Sequence, residues 1–373
     1  MDRFSAIRQI IRKEFIQVFR DKRMIGPLFL APVIQLIMFG YAATIDVKNV
    51  KLGVVDYDRS QESRAFVTAF TRSGYFELKS TPGSMSEVDG IIQSGEVQAG
   101  LVIPEGFAKK LQGGTTSPVQ VIIDGTDANT ATIIIGYIDL IAARYSESVI
   151  VRALGGRAAA MPRFEPRIWF NPELKSSVWM VPGVVCLILL VTTLLLTSMA
   201  ITREREMGTL EQLIVSPIKP RELIIGKTVP FALIGFFDIV LVLTAGKIVF
   251  DVPIRGSIAF LLGSSFLFIL TTLGAGLFIS TVSRTQGQAM MTAMFFVMPA
   301  MLLSGIFSPI ECMPKVIQWV TTVNPLRHFG KIVREILLKG NGPAVLWPEL
   351  LILLVIGLAT FVLSVLRFQK RLE

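Results

Sequence analysis

Long apolar runs alternate with charged segments along this chain. Residues 176–201 carry no charged side chain, and four consecutive charges follow at 203–206. A bilayer core about 30 Å thick needs about twenty apolar residues of helix to cross it. The pattern therefore predicts an α-helical membrane protein with six transmembrane helices, at 24–45, 178–200, 225–250, 257–282, 289–308 and 346–366.

The stretch 46–175 has a different pattern. Short apolar runs that favour strands alternate with segments that favour helices, one of them beginning at Ser60 and another at Ser86. Such alternation is typical of a small α/β layer structure, and a segment of this length can bury its own core. The predicted strands lie at 52–56, 75–78, 99–104 and 118–124, and the predicted helices at 60–71, 86–93, 105–112 and 127–154.

The first 23 residues predict a basic amphipathic helix. Their apolar positions are spaced by three or four residues and form one stripe, with basic residues elsewhere. No small-residue cleavage site follows, so a cleaved signal peptide is not indicated. We expect the helix to lie on the inner membrane surface, with an ordinary solvated helix as the alternative. The stripe comprises Phe4, Ile7, Ile11, Phe15 and Val18.

Basic residues in short loops predict the orientation. Seven lie in 1–23, four in 201–224 and three after Leu366, which places both termini and 201–224 in the cytoplasm. Segment 46–175 is then an extracytoplasmic domain. The basic residues of 315–339 argue against this orientation, but six spans and two basic termini outweigh them.

Composition changes this picture little. Of 373 residues, 52% are hydrophobic and 17% charged, the net charge is +9, and the mean hydropathy is +0.60. Basic cytoplasmic loops and lipid headgroups explain the positive charge better than nucleic acid does. The two cysteines predict no disulfide, and no catalytic set or metal-ligand spacing is recognisable.

One short stretch resembles a phosphate-binding loop without completing it. Residues 221–228 end in Gly-Lys-Thr, but Arg221 stands where that loop requires its first glycine. We therefore interpret Lys227 as a lysine that snorkels at the mouth of a span. The protein is therefore either passive or ion-driven, or its motor is a separate polypeptide.

Five segments together resemble the permeases of the type-2 ABC (ABC-2) exporter family. The resemblance extends over the whole chain, including the insertion after the first span. Cys312 departs from the family pattern, in which asparagine is expected. The segments are WFNPELKSSVWMVPG (169–183), TREREMGTLEQLIVSPIKPRELIIGK (202–227), LGAGLFISTVSRTQGQAM (273–290), MPAMLLSGIFSPIECMP (298–314) and VNPLRHFGKIVREILLKG (323–340).

The resemblance implies a permease subunit that is not itself an enzyme and binds no cofactor. It implies a dimer with a second copy or a sister permease, and two copies of an ABC ATPase that bind ATP and Mg. Loop 201–224 would hold a coupling helix that docks on the ATPase, with Gly208 permitting a helix break or a close backbone approach. The residues predicted for coupling are Glu204, Glu206, Gly208, Thr209, Glu211, Leu213 and Pro217.

Two residues are candidates for the substrate pathway, namely Asp238 and Gly305. Asp238 is a carboxylate deep inside the third span, where such groups usually face a cavity or a partner; structural hydrogen bonding is the alternative. The resemblance implies partly re-entrant helices in 309–343. Arg327, Lys331 and Arg334 share one face there, suited to an anion or to a plain interfacial helix, and His328 is expected to be structural.

The resulting hypothesis is the membrane subunit of an ATP-driven exporter in a bacterial inner membrane. Its cargo would be a drug, a lipid-like or other amphiphile, or an ion, with membrane lipid and a periplasmic adaptor as further partners considered. The alternative is a mechanical transducer, in which ATP hydrolysis inside moves the outer domain and a periplasmic partner without transport.

Overall fold

A computed structural model describes residues 3–20, 26–42, 47, 49–153, 169–171, 175–209 and 220–369. Contacts divide the chain into two compact units. The first comprises 1–44 together with 168–373, and the second comprises 45–167.

The first unit is helical. Most of its long helices run through apolar sequence, and two shorter helices precede the C-terminal helix. They are α1 (Arg3–Arg20), α2 (Ala31–Ala42), α7 (Ser176–Ser198), α8 (Ala200–Glu206), α9 (Pro220–Phe250), α10 (Ile258–Val282), α11 (Gln286–Leu302), α12 (Lys315–Thr321), α13 (Pro325–Arg334) and α14 (Pro343–Gln369). π-Helical turns at Gly26–Leu30 and Glu335–Lys339 and a 3₁₀ turn at Ile310–Cys312 complete the list.

Four helical segments of the described residues are long and apolar enough to cross a membrane. They are Ser176–Glu206, Glu222–Phe250, Ile258–Val282 and Pro343–Arg367. Within the described residues, the first predicted span contains the shorter apolar helix Leu28–Ala42, and the fifth contains the 17 residues of α11. The multispan helical architecture is thus present, while the count of six spans stays a prediction.

Helix α7 lies at the centre of the first unit. Val184, Cys186, Leu190 and Leu194 are all fully buried, and the helix packs against α2, α9, α10, α11 and α13. Helix α14 packs along α10, and α1 packs against α9. Of the four candidate spans, the one with the highest mean hydropathy therefore contains the helix on which the other helices assemble.

The second unit contains the predicted small sheet. The strands are β1 (Val50–Asp56), β2 (Phe76–Ser80), β3 (Ala99–Ile103) and β4 (Gln120–Ile123). Their order is β2-β1-β3-β4, with β1 parallel to both β2 and β3, and β4 antiparallel to β3. The helices are α3 (Gln61–Arg72), α4 (Met85–Gln93), α5 (Phe107–Gln112) and α6 (Ala128–Ala153).

Local chemistry explains these boundaries. The Ser60 hydroxyl caps α3 by accepting a hydrogen bond from the Ser63 amide at 3.0 Å, as the sequence predicts. Helix α4 is capped by Ser84 rather than begun by Ser86, so that prediction was two residues late. The core of the unit lies where α3 and α6 cover the sheet, with Phe70, Leu101 and Ile134 fully buried.

Candidate functional site

A buried charge network joins three segments of the first unit that are far apart in sequence. The Lys227 ammonium group donates to Glu14 Oε1 at 2.8 Å, to Glu204 Oε1 at 3.1 Å and to the Ala200 carbonyl at 3.2 Å. Lys13 Nζ also donates to Glu204 Oε1, at 2.9 Å. Glu14, Glu204 and Lys227 are each at most 6% exposed. Lys227 thus connects α1, the end of the α7–α8 segment and the start of α9.

Helix α1 brings Glu14 into this network through its buried face. Ile10, Glu14 and Val18 are buried at intervals of four residues, which places the carboxylate between two apolar side chains on one side of the helix. Ile10 lies against Gly226, where an added Cβ would come within 2.7 Å of Ile10 Cγ2. This close approach of α1 to α9 holds Glu14 beside Lys227.

The network is electrically balanced. Two carboxylates, Glu14 and Glu204, face two ammonium groups, Lys227 and Lys13. Lys227 uses all three of its donors, so its burial leaves none unsatisfied. Removing one partner of a buried pair typically costs about 3–5 kcal/mol because a charge remains without compensation. The interpretation of Lys227 as a snorkelling lysine was therefore wrong.

A cavity of about 460 Å³ lies against the network. Glu14, Glu204 and Lys227 line it together with Arg203 and Gln286. The network therefore borders open space on one side and tightly packed helices on the other. A movement of α8 would therefore change the cavity and the helix packing together.

The charged end of α8 is also held by the neighbouring α10–α11 turn. Glu206 Oε1 accepts from the Gln286 backbone amide at 2.8 Å, at the first residue of α11, and Glu206 Oε2 accepts from the Gln286 side chain. Arg205 donates to the Ser283 carbonyl, and the Ser280 hydroxyl accepts from the Ile201 amide at 3.0 Å. Helix α8 is therefore clamped to two other helices.

A residue with left-handed backbone lies two positions after the end of α8. Gly208 has φ of +70°, a region that residues with a side chain rarely adopt, so it breaks the helix as the sequence predicts. No atom lies within 4 Å of the position its Cβ would take, so no described residue approaches it closely. The Thr209 hydroxyl donates to the Glu204 side chain and to the Glu204 carbonyl.

The predicted coupling residues fall into three groups. Glu204 is 2% exposed and engaged within its own chain, so its charge supports the local structure rather than an outer surface. Glu206 and Gly208 are exposed, and Thr209 is half-buried. Glu211, Leu213 and Pro217 lie outside the described residues. A coupling role for all seven residues stays a prediction.

Asp238 is buried in α9 at 1% exposure, and neither carboxyl oxygen has a hydrogen-bond partner among the described residues. Thr192 of α7 lies beside it, but the Thr192 hydroxyl donates to the Ile188 carbonyl at 2.8 Å. A buried polar group without a partner is costly, which makes this residue unusual in a packed span. The pathway role of Asp238 and the alternative of structural hydrogen bonding both stay predictions.

Gly305 lies in the turn after α11. Its φ is +75°, and an added Cβ would come within 2.9 Å of Ile310 Cδ1. The Arg334 side chain donates to the Gly305 carbonyl at 3.2 Å, and its guanidinium carbon lies 3.9 Å from the centre of the Trp179 ring. These contacts give Gly305 a structural reason to be glycine, and its pathway role stays a prediction.

The basic face of α13 is also engaged. Lys331 pairs with Glu349 of α14 at 2.5 Å, and Arg327 donates to the Thr321 hydroxyl. The His328 ring lies between Glu349 Oε2 at 2.5 Å and the Thr322 carbonyl at 2.8 Å. The expectation of a structural histidine is confirmed. Arg327 and Lys331 therefore contact neighbouring helices, while a role of this face toward an anion stays a prediction.

Sequence reasoning missed Glu14 and Lys13 and misread Lys227. One signal was present: Glu14 is the single acidic residue of α1 and stands four residues from both Ile10 and Val18. An acidic residue centred on an apolar face indicates a buried partner. The identity of that partner, 213 positions away, has no local signal.

Comparison with known proteins identifies the family of this chain. The family profile described as "ABC-2 family transporter protein" matches residues 22–366. The chain belongs to the ABC-2 transporter family. It is 33% identical to the probable multidrug ABC transporter permease YbhR of Escherichia coli (strain K12), over 99% of each chain. It is 32% identical to the probable multidrug ABC transporter permease YbhS of the same organism, over 99% of this chain and 98% of that protein. It is also 30% identical to the E. coli inner membrane transport permease YhhJ, over 96% of this chain and 95% of that protein.

These matches support a permease subunit of an ABC-2 transporter and a multipass membrane protein. They extend over both compact units, so the α/β unit belongs to the shared architecture. In this family a permease works with an ABC ATPase.

Proposed function

We propose that this chain is the membrane subunit of an exporter that moves amphiphilic compounds outward, driven by a separate ABC ATPase. The observation that carries the proposal is its end-to-end similarity to permeases named for multidrug transport. The proposed location is a bacterial inner membrane, with both termini and 201–224 in the cytoplasm. This orientation rests on the basic residues of these segments.

The charge network supports the proposed route of coupling. Segment 201–209 is tied to α1 and α9 through Glu204 and Lys227, and to the start of α11 through Glu206. A push from an ATPase on 201–224 would therefore move the ends of several helices together. Coupling between sites requires such contiguous packed contacts.

Asp238 supports a pathway through the helices around α9. In the described arrangement its carboxyl group is closed off and lacks a hydrogen-bond partner. A second arrangement that opens the contact between α7 and α9 would expose it to a cargo with a positive or hydrogen-bonding group. Alternation between two such states is what an ATP-driven exporter requires.

The proposed assembly has two permeases, either two copies or a copy with a sister permease, and two ATPase subunits. ATP and Mg would be bound by the ATPase alone. A periplasmic adaptor is a further partner we propose to test. The comparisons do not favour the mechanical transducer, because the relatives are named as transport permeases.

Reconstitution with the partner ATPase tests the proposal. Inside-out vesicles that contain both subunits should accumulate a fluorescent cationic dye on addition of MgATP. Asp238→Asn should change this uptake while the complex still assembles, since the carboxyl group holds no structural hydrogen bond.

Vesicles with a hydrolysis-deficient ATPase are the control. ATPase stimulation without uptake of any amphiphile, combined with ATP-driven changes in the α/β unit, would overturn the exporter in favour of the transducer. Unchanged uptake in Asp238→Asn would remove Asp238 from the pathway.

A further inference from the structure

The α/β unit contains a cavity of about 500 Å³ that nothing above explains. It lies between α6 and the edge of the sheet, bounded by α3, α5 and β4. Cavities of about 300–1,000 Å³ with mainly apolar walls are typical of small-molecule sites. The aromatic part of its wall comprises Phe66, Phe70, Phe107 and Tyr145.

The aromatic wall is fixed in place by its own contacts. The rings of Phe66 and Tyr145 lie 4.8 Å apart, and those of Phe66 and Phe107 lie 5.6 Å apart. The Tyr145 hydroxyl donates to the Glu62 carbonyl at 3.0 Å. Burial raises the pKa of the Tyr145 hydroxyl above its ordinary value. The cavity therefore has a preformed apolar and aromatic side.

The polar groups at the cavity are one carboxylate and several neutral side chains. Asp139 of α6 is its sole charged lining residue among those described, and no described residue pairs with this exposed carboxylate. The Ser117 hydroxyl oxygen is buried without a hydrogen-bond partner in the described part of the chain. The remaining polar positions carry neutral side chains. A cavity lined by an unpaired carboxylate and by aromatic rings favours a positive group over a negative one.

We propose that this cavity is a binding site for a cationic amphiphile, with the apolar body against Phe66, Phe107 and Tyr145 and the positive group near Asp139. The site binds without ATP and without the ATPase. Its occupancy is therefore independent of whether the chain transports the same compound.

Two probes of matched shape and opposite charge separate this proposal from general hydrophobicity. The full chain in lipid nanodiscs is titrated with tetraphenylphosphonium and, separately, with tetraphenylborate, by calorimetry against empty nanodiscs. We expect saturable binding of the cation and at least tenfold weaker binding of the anion. Equal binding of the two ions would overturn the proposal.

Two variants locate the binding in the cavity. Ala142→Trp fills space at the cavity wall and should abolish saturable binding. Asp139→Asn keeps the shape and removes the charge, and should weaken binding of the cation about tenfold without weakening binding of the anion. Glu147→Gln is the matched control, because Glu147 is an exposed acidic residue of α6 that does not line the cavity.

The expected ranking of cation affinity is wild type and Glu147→Gln, then Asp139→Asn, then Ala142→Trp. Should Asp139→Asn and Glu147→Gln bind the cation alike, the carboxylate has no role and the proposal fails. Should Ala142→Trp bind like the wild type with unchanged thermal stability, binding lies elsewhere. Because no ATPase is present, neither failure affects the exporter proposal.

Discussion

The sequence and the structure lead to different interpretations of Lys227. In sequence it follows Gly226 at the start of an apolar helix, a position typical of lysines that extend to the membrane surface. In the structure it is 4% exposed and bonded to two carboxylates. The difference arises because the partners come from α1 and α8, and pairing between distant segments leaves no local pattern.

The first prediction concerns this lysine. Lys227→Met should lower the free energy of unfolding by about 3–5 kcal/mol, because Glu14 would keep a buried charge without a partner. The measurement is a denaturant titration of the purified permease in mixed micelles. Adding Glu14→Gln to Lys227→Met should restore part of the loss, since the unpaired carboxylate is then gone.

Lys247→Met provides the control, because Lys247 lies on the same helix and is exposed. Its effect should stay within about 0.5 kcal/mol, as for ordinary surface substitutions. Equal stability of the two lysine variants would show that the network contributes nothing to the fold.

At the scale of elements, the α/β unit could be predicted closely and the membrane helices less so. Strands β1 and β3 are short, almost wholly buried runs, and Ser60 caps α3, so their signals are local. The predicted fifth span is different. Its apolar sequence continues to Ser308, yet α11 ends at Leu302 because the following turn is held by Gly305 and Arg334. The hydrophobicity of the sequence cannot locate a helix end that depends on a hydrogen bond from an arginine distant in sequence.

The second prediction concerns the end of α8. Gly208→Val should leave folding largely intact but weaken coupling to the ATPase, because a branched side chain at φ of +70° costs about 1–2 kcal/mol and shifts the emerging loop. The measurements are copurification of the ATPase and its stimulation in reconstituted vesicles.

Gly208→Asn is the matched variant, since asparagine tolerates left-handed backbone better than other residues with a side chain. It should retain most of the stimulation. If valine and asparagine at this position gave full stimulation alike, the backbone turn at Gly208 would have no part in coupling.

At the scale of the whole molecule, the chain combines a helical unit and an α/β unit whose sequences follow different rules. Apolar length predicts the first unit, and alternating strands and helices predict the second. The side of the membrane on which each segment lies follows from neither, and it rests on the distribution of lysine and arginine. Orientation is accordingly the property of the whole molecule that most needs a direct test.

The third prediction is that the α/β unit and the turn before α12 lie outside, and 201–224 inside. Cys312 is exposed and Cys186 is fully buried, so the wild-type protein already carries one accessible thiol in the turn after α11. In intact spheroplasts, a membrane-impermeant maleimide should label Cys312. In a Cys312→Ser background it should label Ser86→Cys, an exposed position of α4. Ser216→Cys, in loop 201–224, should react only after the membrane is permeabilised.

Labelling of Ser216→Cys from outside, or protection of both Cys312 and Ser86→Cys until permeabilisation, would reverse the orientation. The ATPase-docking role of 201–224 would then fail with it, because ATP is supplied on the cytoplasmic side.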